Sequence, residues 1–448
     1  MERPLKVVVI GGDAAGMSAA SQVKRRIKSA EVIVVEKGRD VSYGACGMPY
    51  NIGYQADIDE LVVLTADEFK TKRGIDVRLL SEAVGVDFNN RKVKVRSLAS
   101  DREYELVYDK LFIGSGAEAF LPPIEGAANE GVFKLKVLDD ARRIKAYIED
   151  KKPKKAVLIG AGFINLELAE NLKRLSMEVV ILEKLDGILL NFEDEFSEVV
   201  KEELSRNGVE LITGVDIEKI DGSLKVKTNK GEFEADFVNI AAGVKPNTDF
   251  LVGTPIELEK GAIVVDRYFR TNMESVYAGG DCALIYHRIL NRNVYMPLGT
   301  NANKAGRIGG ANMAGANEEF AGIVGTILFR IFDKGVAKTG LSLREAIDNG
   351  FDAFKTIIEA PTTAHGFPHQ GKVKICLVAE KGSGRLLGGQ IVGDSEGVWR
   401  IDILATALYS NLAIKDIQGL DLAYSPPFAP VWDPILVCAN QAIKQVRK

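Results

Sequence analysis

Val7-Val8-Val9-Ile10-Gly11-Gly12-Asp13-Ala14-Ala15-Gly16, followed after an Ala-rich run to Lys28 by Val32-Ile33-Val34-Val35-Glu36, decides the fold. Four consecutive apolar, mostly β-branched residues stopped by glycine read as a strand buried on both faces. The glycines permit a tight turn, the alanines predict a helix, and the second apolar run predicts a parallel strand ending in an acid. The same order returns later. Ala156-Val157-Leu158-Ile159 precedes Gly160-Ala161-Gly162-Phe163-Ile164-Asn165, then a helical stretch to about Leu175 and Val179-Val180-Ile181-Leu182-Glu183. Alone, one such unit is a weak sign. Two in one chain predict an α/β protein with two Rossmann-like dinucleotide sites. In each, backbone N–H groups at the helix start suit a pyrophosphate and the terminal acid suits ribose hydroxyls.

Both units depart from the usual glycine fingerprint. Asp13 stands at the middle glycine position, so its carboxylate must turn away from a pyrophosphate. Asn165 stands at the last glycine position, which normally eases helix–strand packing. Glu183 disfavours the extra phosphate of NADP, because two anions would meet; NADH is therefore expected, and Lys184 beside it leaves room for NADPH. Further apolar runs end in glycine turns at Leu111-Phe112-Ile113-Gly114-Ser115-Gly116 and Val238-Asn239-Ile240-Ala241-Ala242-Gly243. A third, Ser275-Val276-Tyr277-Ala278-Gly279-Gly280-Asp281-Cys282, carries an acid placed for a sugar hydroxyl.

A length of 448 residues suggests about three domains. Lys+Arg 58 against Asp+Glu 62, a net charge of −4 and no long basic block argue against a nucleic-acid partner. No apolar run approaches a membrane span and the N-terminal stretch is too short for a signal-peptide core, so a cytoplasmic protein with no membrane partner is expected. The four cysteines, Cys46, Cys282, Cys376 and Cys438, are scattered and form no C-x-x-C, which removes disulfide-scaffold, zinc and thioredoxin-like readings.

Cys46 lies in Ser42-Tyr43-Gly44-Ala45-Cys46-Gly47-Met48-Pro49-Tyr50, just beyond the first unit. By itself it reads as a buried cysteine at a turn. Beside two nucleotide sites it reads as a redox sulfur. Gly47 and Pro49 are expected to open a helix behind it, favouring the nucleophilic thiolate at neutral pH. Cys282 is expected to be structural.

The order of these motifs resembles the FAD-dependent pyridine nucleotide–disulfide oxidoreductases over essentially the whole chain. Within that family the single-cysteine S-x-x-x-C-G-x-P pattern is similar to the branch of coenzyme A disulfide reductases, NADH oxidases and peroxidases, and persulfide or polysulfide reductases. The resemblance implies a discontinuous FAD domain (1–119 and 244–320), an inserted NAD(P)H domain (120–243) and an α+β C-terminal dimerisation domain (321–448). It implies cofactor contacts at Gly11, Ala14, Ala15, Gly16, Glu36, Ser115, Gly116 and Asp281, and at Gly160, Gly162, Glu183 and Gly243. The segment Gly299–Arg307, with Ala302, is implied to open a helix aimed at the flavin.

Dithiol members need a second cysteine a few residues from the first and a late His-Pro…Glu pair. Cys46 has no such neighbour, and His287, His365 and His369 lack that setting. Peroxidase and oxidase members carry a histidine in the first glycine turn, where this chain has Ala14. Ala20-Ser21-Gln22-Val23-Lys24-Arg25 instead resembles the A-S-Q-[IV]-R-R of coenzyme A disulfide reductases, which implies coenzyme A contacts at Gln22, Arg25, Ser42, Asn303 and Arg307. Tyr424, in Leu422–Phe428, matches a tyrosine that reaches the partner subunit's site, and is the implied proton donor to a departing thiolate. Phe367 and Ala45 depart from the disulfide-reductase pattern, which directs the reading toward a smaller leaving group. The expected activity is NADH-dependent reduction of coenzyme A-linked persulfide, polysulfide or disulfide through Cys46, in a homodimer with a shared site. The alternative is an NADH oxidase reducing oxygen at the flavin.

Overall fold

The computed structural model describes residues 3–368 and 370–446, so His369 lies outside the described residues. The first unit forms a five-stranded parallel sheet in the order Val276–Ala278, Lys110–Ile113, Lys6–Ile10, Glu31–Val35, Ile75–Arg78. Val7, Val8 and Val9 are at most 1% exposed, as strands covered on both faces must be. Helix α1 (Ala14–Arg26) crosses between its first two strands. It ends two residues before Lys28, where Lys24 Nζ donates to the carbonyls of Lys28 and Ala30 at 2.8 and 2.9 Å. Two short helices, α2 (Met48–Gly53) and α3 (Ala66–Arg73), follow the second strand.

The second unit repeats this order. Its parallel sheet runs Val209–Ile212, Glu178–Leu182, Lys155–Ile159, Phe237–Ile240, Val132–Phe133, with α4 (Leu138–Lys151) before its first central strand and α5 (Phe163–Arg174) after it. A further helix, α6 (Asp194–Arg206), leads to the Val209–Ile212 strand. The repeat extends past the glycine motif. Each unit inserts a three-stranded antiparallel sheet before its fourth strand, over residues 81–107 in the first and 217–233 in the second. The fifth strand differs in origin: 276–278 returns to the first sheet after the second unit is complete, whereas 132–133 precedes it. The two connections run side by side as an antiparallel ribbon of Ala117–Ala119 with Val244–Pro246.

Helix α7 (Gly299–Met313) lies along α1. Their approach depends on small residues: a Cβ on Gly306 would stand 2.0 Å from the Ala15 carbonyl oxygen. The C-terminal unit is a five-stranded antiparallel sheet, ordered Ile327–Ile331, Lys334–Gly340, Leu386–Asp394, Lys372–Glu380, Ala353–Pro361. Helices Ile401–Tyr409 and Pro434–Val446 cover it. The first of these is entered through a 3-10 turn at Val398–Arg400. Among the described residues, no helix is long and apolar enough to cross a membrane.

Candidate active site

The first glycine turn is shaped by close approach. Gly11 has φ +98°, and a Cβ there would stand 2.0 Å from the Gly114 carbonyl oxygen, so a side chain is excluded both by conformation and by space. Helices α1, α5 and α7 all begin without a side-chain cap, whereas Thr65 caps α3 in a complete capping box. Uncapped first-turn N–H groups are what a phosphate ligand uses. At Gly116, Gly162 and Gly243 a Cβ would meet nothing within 4 Å, which leaves these three turns open for a ligand to lie against.

The terminal acids fold back on their own turns. Glu36 accepts from the Gly12 and Gly38 N–H groups, both at 2.6 Å, and burial raises its carboxyl against those two bonds. Glu183 accepts from Ala161 and Leu185 at 2.7 and 2.9 Å. Lys184, 3.6 Å from Asp216, is turned to another acid. The Asp13 carboxylate reaches away from the turn to the Tyr43 N–H at 3.4 Å. Burial pushes Asp13 up to about 6, with that N–H bond opposing. Ser115 Oγ donates to the Asn247 carbonyl at 2.7 Å, tying the third turn to the returning chain. Asp281 pairs with Lys136 at 3.1 Å. Lys136 belongs to the stretch before α4 and no motif marked it; in the sequence it is one charge among the apolar residues Leu135, Val137 and Leu138.

The cysteine loop is fastened to this turn. Ser42, at φ +52°, donates its N–H to the Gly12 carbonyl at 2.9 Å, and the Gly44 N–H bonds the Leu61 carbonyl at 2.8 Å. Cys46 sits in a 3-10 turn, Ala45–Gly47, ahead of α2 with Pro49 in its first turn. The helix behind the cysteine is therefore present, but the expected lowering of its thiol is not. Cys46 is reachable from solvent, yet the cleft withdraws enough water that burial pushes the thiol up. The charge of Glu167 adds to this, while Lys136 opposes it. A six-residue helix supplies little dipole, and the facing carboxylates outnumber the single lysine. Cys282, Cys376 and Cys438 are buried, the first with its sulfur 3.5 Å from the Ile113 carbonyl oxygen, in keeping with a structural thiol.

The two helices that carry the residues linked to coenzyme A, α1 with Gln22 and Arg25 and α7 with Asn303 and Arg307, lie against each other. Asn303 Nδ2 donates to Ser18 Oγ at 3.1 Å; Gln22 and Arg307 lie one turn further along their helices. Ala302 is buried at the start of α7. The basic cluster at the end of α1 divides: Lys24 closes the helix, Arg26 pairs with Glu318, and Arg25 is exposed with no ion-pair partner among the described residues. Arg73 on α3 joins this face by bonding Ser21 Oγ at 2.7 Å, a placement nothing in the sequence announced. Tyr424 is 51% exposed on the loop before the last helix, beside Phe428 at 77% and Trp432 at 59%, and makes no hydrogen bond to the cysteine loop of its own chain.

Comparison with known proteins adds the family. A family model described as pyridine nucleotide-disulphide oxidoreductase matches residues 5–306, and one described as the dimerisation domain of that family matches residues 328–434. An NAD(P)H coenzyme A polysulfide/persulfide reductase from Pyrococcus horikoshii is 37% identical over 97% of this chain and 98% of its own. An NADH oxidase from Methanocaldococcus jannaschii is 30% identical over 99% of both chains. Among solved structures, an NAD-dependent persulfide reductase from A. fulgidus superposes with a TM-score of 0.94 at 38% identity, over 98% of this chain and 83% of that one. With two glycine-turn units, a cysteine loop fastened to the first and these matches along its length, the chain belongs to the pyridine nucleotide-disulphide oxidoreductase family and carries that family's dimerisation domain.

Proposed function

We propose that the protein is an FAD-dependent NAD(P)H oxidoreductase that reduces coenzyme A-linked sulfur, persulfide, polysulfide or disulfide, through Cys46. One observation carries the reading: a lone accessible cysteine whose loop is bonded to the first glycine turn, from which α1 with Gln22 and Arg25 sets out, α7 with Asn303 and Arg307 lying along it. Arginine suits the phosphates of coenzyme A because its charge is permanent and its donors form a fork. Similarity to the Pyrococcus coenzyme A-dependent reductase and the A. fulgidus persulfide reductase supports the same substrate class.

The division into an FAD domain (1–119 and 244–320), an NAD(P)H domain (120–243) and a dimerisation domain (321–448) accords with the paired ribbon at 117–119 and 244–246. In that division Gly11, Ala14, Ala15, Gly16, Glu36, Ser115, Gly116, Asp281 and Ala302 hold FAD. Gly160, Gly162, Glu183 and Gly243 hold the nicotinamide dinucleotide. The uncapped starts of α1 and α5 and the open surfaces at Gly116, Gly162 and Gly243 fit such ligands. FAD, when bound, supplies hydride acceptance from NADH and two-electron delivery to sulfur. Cys46 thiolate attacks the coenzyme A sulfur of a persulfide, forming a mixed disulfide as HS⁻ leaves; two electrons and a proton then release coenzyme A thiol. Across the cycle NADH, a proton and the persulfide become NAD⁺, coenzyme A and hydrogen sulfide. The exposed apolar loop around Tyr424 suits burial against a second copy of the chain, from which Tyr424 protonates the leaving sulfur.

Anaerobic NADH oxidation with coenzyme A persulfide tests this. Fast turnover lost by roughly a hundredfold or more in Cys46→Ser is expected, since removing an attacking nucleophile costs at least that much. Turnover that requires oxygen and survives in Cys46→Ser would instead assign the NADH oxidase activity.

A further inference from the structure

Cys46 rides on an excursion of the chain whose departing and returning arms meet. The Ser42 carbonyl accepts from the Val63 N–H and the Leu61 carbonyl from the Gly44 N–H, both at 2.8 Å, with Tyr43 bridged to Val62 between them. Asp40 stands two residues ahead of Ser42 on the departing arm, and Asp59 two residues ahead of Leu61 on the returning one. Among the described residues, the cation paired with both acids is Arg142, on α4 of the second unit. Its guanidinium faces Asp40 with both terminal nitrogens, Nη1 to Oδ2 at 2.6 Å and Nη2 to Oδ1 at 2.9 Å, and gives Nε to Asp59 at 2.8 Å. Asp139, three residues back on α4, orients it at 2.8 Å. One turn further along α4, Lys145 Nζ donates to the Ala56 carbonyl at 2.8 Å. A single helix of the second unit therefore grips the foot of the segment that carries the redox sulfur.

Resting on the reading of Cys46 as the redox sulfur, we propose that Arg142 is a positioning residue: its fork ties both arms of the cysteine excursion to the second unit and so fixes where Cys46 stands. The chemistry selects arginine. A guanidinium offers three nitrogens in one plane and can hold two carboxylates from two arms at once, whereas an ammonium is a single point charge. Three carboxylates share this one cation, so removing it leaves like charges on the two arms to repel each other. Exposed ion pairs add little to folding, and the Asp59 side chain is 66% exposed, so the bridge serves the placement of the loop more than the stability of the chain. Placement matters here because a nucleophile out of line with its target by an ångström loses much of its rate. The second unit keeps further ties, Lys136 to Asp281 and Glu170 to Arg330, so losing Arg142 frees the cysteine loop without freeing the unit.

Arg142→Gln tests this in the FAD-loaded enzyme. Anaerobic turnover with coenzyme A persulfide is expected to fall roughly ten- to hundredfold, while flavin reduction by NADH in stopped flow stays within about twofold of wild type. Amide hydrogen exchange is expected to lose protection over residues 41–63 and to keep it in the strands Lys6–Ile10 and Lys155–Ile159. Arg142→Lys, which keeps the charge and loses the fork, stays closer to Arg142→Gln than to wild type. Asp59→Asn gives the same split at smaller size and adds nothing to Arg142→Gln in the double variant. Unchanged turnover or unchanged exchange in Arg142→Gln overturns the proposal, as does wild-type turnover in Arg142→Lys. Flavin reduction slowed as much as turnover does so too, by assigning Arg142 to the seating of the nucleotide unit. Should Arg142→Gln fail to hold flavin, wild-type turnover and exchange in Asp59→Asn overturn it alone. Whether Cys46 carries turnover is read separately from Cys46→Ser, and exchange over 41–63 needs no catalysis.

Discussion

The two glycine-turn units solve one packing problem in two ways. In the first, Gly16 lets the start of α1 lie directly on the strand end: a Cβ there would stand 1.9 Å from the Gly11 carbonyl oxygen. In the second, the matching residue is Asn165, fully buried, whose Nδ2 donates to the Ile159 and Gly160 carbonyls at 2.9 and 2.8 Å. Its Oδ1 accepts from Asn239 Nδ2 at 2.7 Å, on the neighbouring strand. One turn is held by the absence of a side chain, the other by a buried amide that satisfies the strand-end carbonyls. The fingerprint glycine is therefore one answer to a geometric demand, and a polar residue serves when a second amide lies within reach.

The sharpest way to break this comparison is Gly16→Ala. A methyl group against a backbone oxygen forces the turn itself to move, and overpacking costs about 1–3 kcal/mol or more even where side chains can yield. Loss of bound flavin from the purified protein, read by absorbance, is the expected result; full flavin content would sink the close-packing account. Asn165→Ala comes next. It strands the Gly160 carbonyl and the Asn239 amide, the Ile159 carbonyl keeping the Ala241 N–H, at about 1–3 kcal/mol for a buried group left unpaired. A lower urea midpoint and weaker NADH binding with unchanged flavin content are expected, and a shared loss of both ligands would deny that the two turns are independent.

The smallest effect concerns Asp13, whose carboxyl is raised to about 6 by burial in the first turn. A carboxyl with a raised folded-state pKa holds its proton longer in the folded chain than in the unfolded one. Its contribution is complete below pH 4 and is lost as pH climbs through 6. In flavin-free protein, Asp13→Asn should flatten the fall in melting temperature between pH 4 and 7. Glu167, raised to about 7, acts in the same direction, whereas His287, lowered to about 4, acts in the opposite one. Subtracting the mutant profile from wild type isolates Asp13, and a difference that does not depend on pH would refute the assignment.

Much of this site was legible because its signals are local. Gly11, Gly16, Glu36 and Glu183 stand at fixed offsets within single strand–turn–helix units, and the lone Cys46 is a matter of counting. The ionisation of Cys46 was misread for the opposite reason. Its local setting, a glycine and a proline opening a helix, favours thiolate, but the burial of the cleft, with the charge of Glu167 from another unit added, outweighs a six-residue helix.

The sequence by itself determined the two parallel units, the extent of the repeat's glycine turns and the single sulfur between them, since strand and helix periodicity and turn chemistry act between near neighbours. Tertiary structure alone decided that residues 276–278 close the first sheet, that Lys136 meets Asp281, that Asn239 completes Asn165, and that Tyr50 meets Glu167. These pairs are separated by scores of residues, and no local period records them. Only the packing of whole units brings such groups to bonding distance, where a few tenths of an ångström and the exclusion of water decide their chemistry.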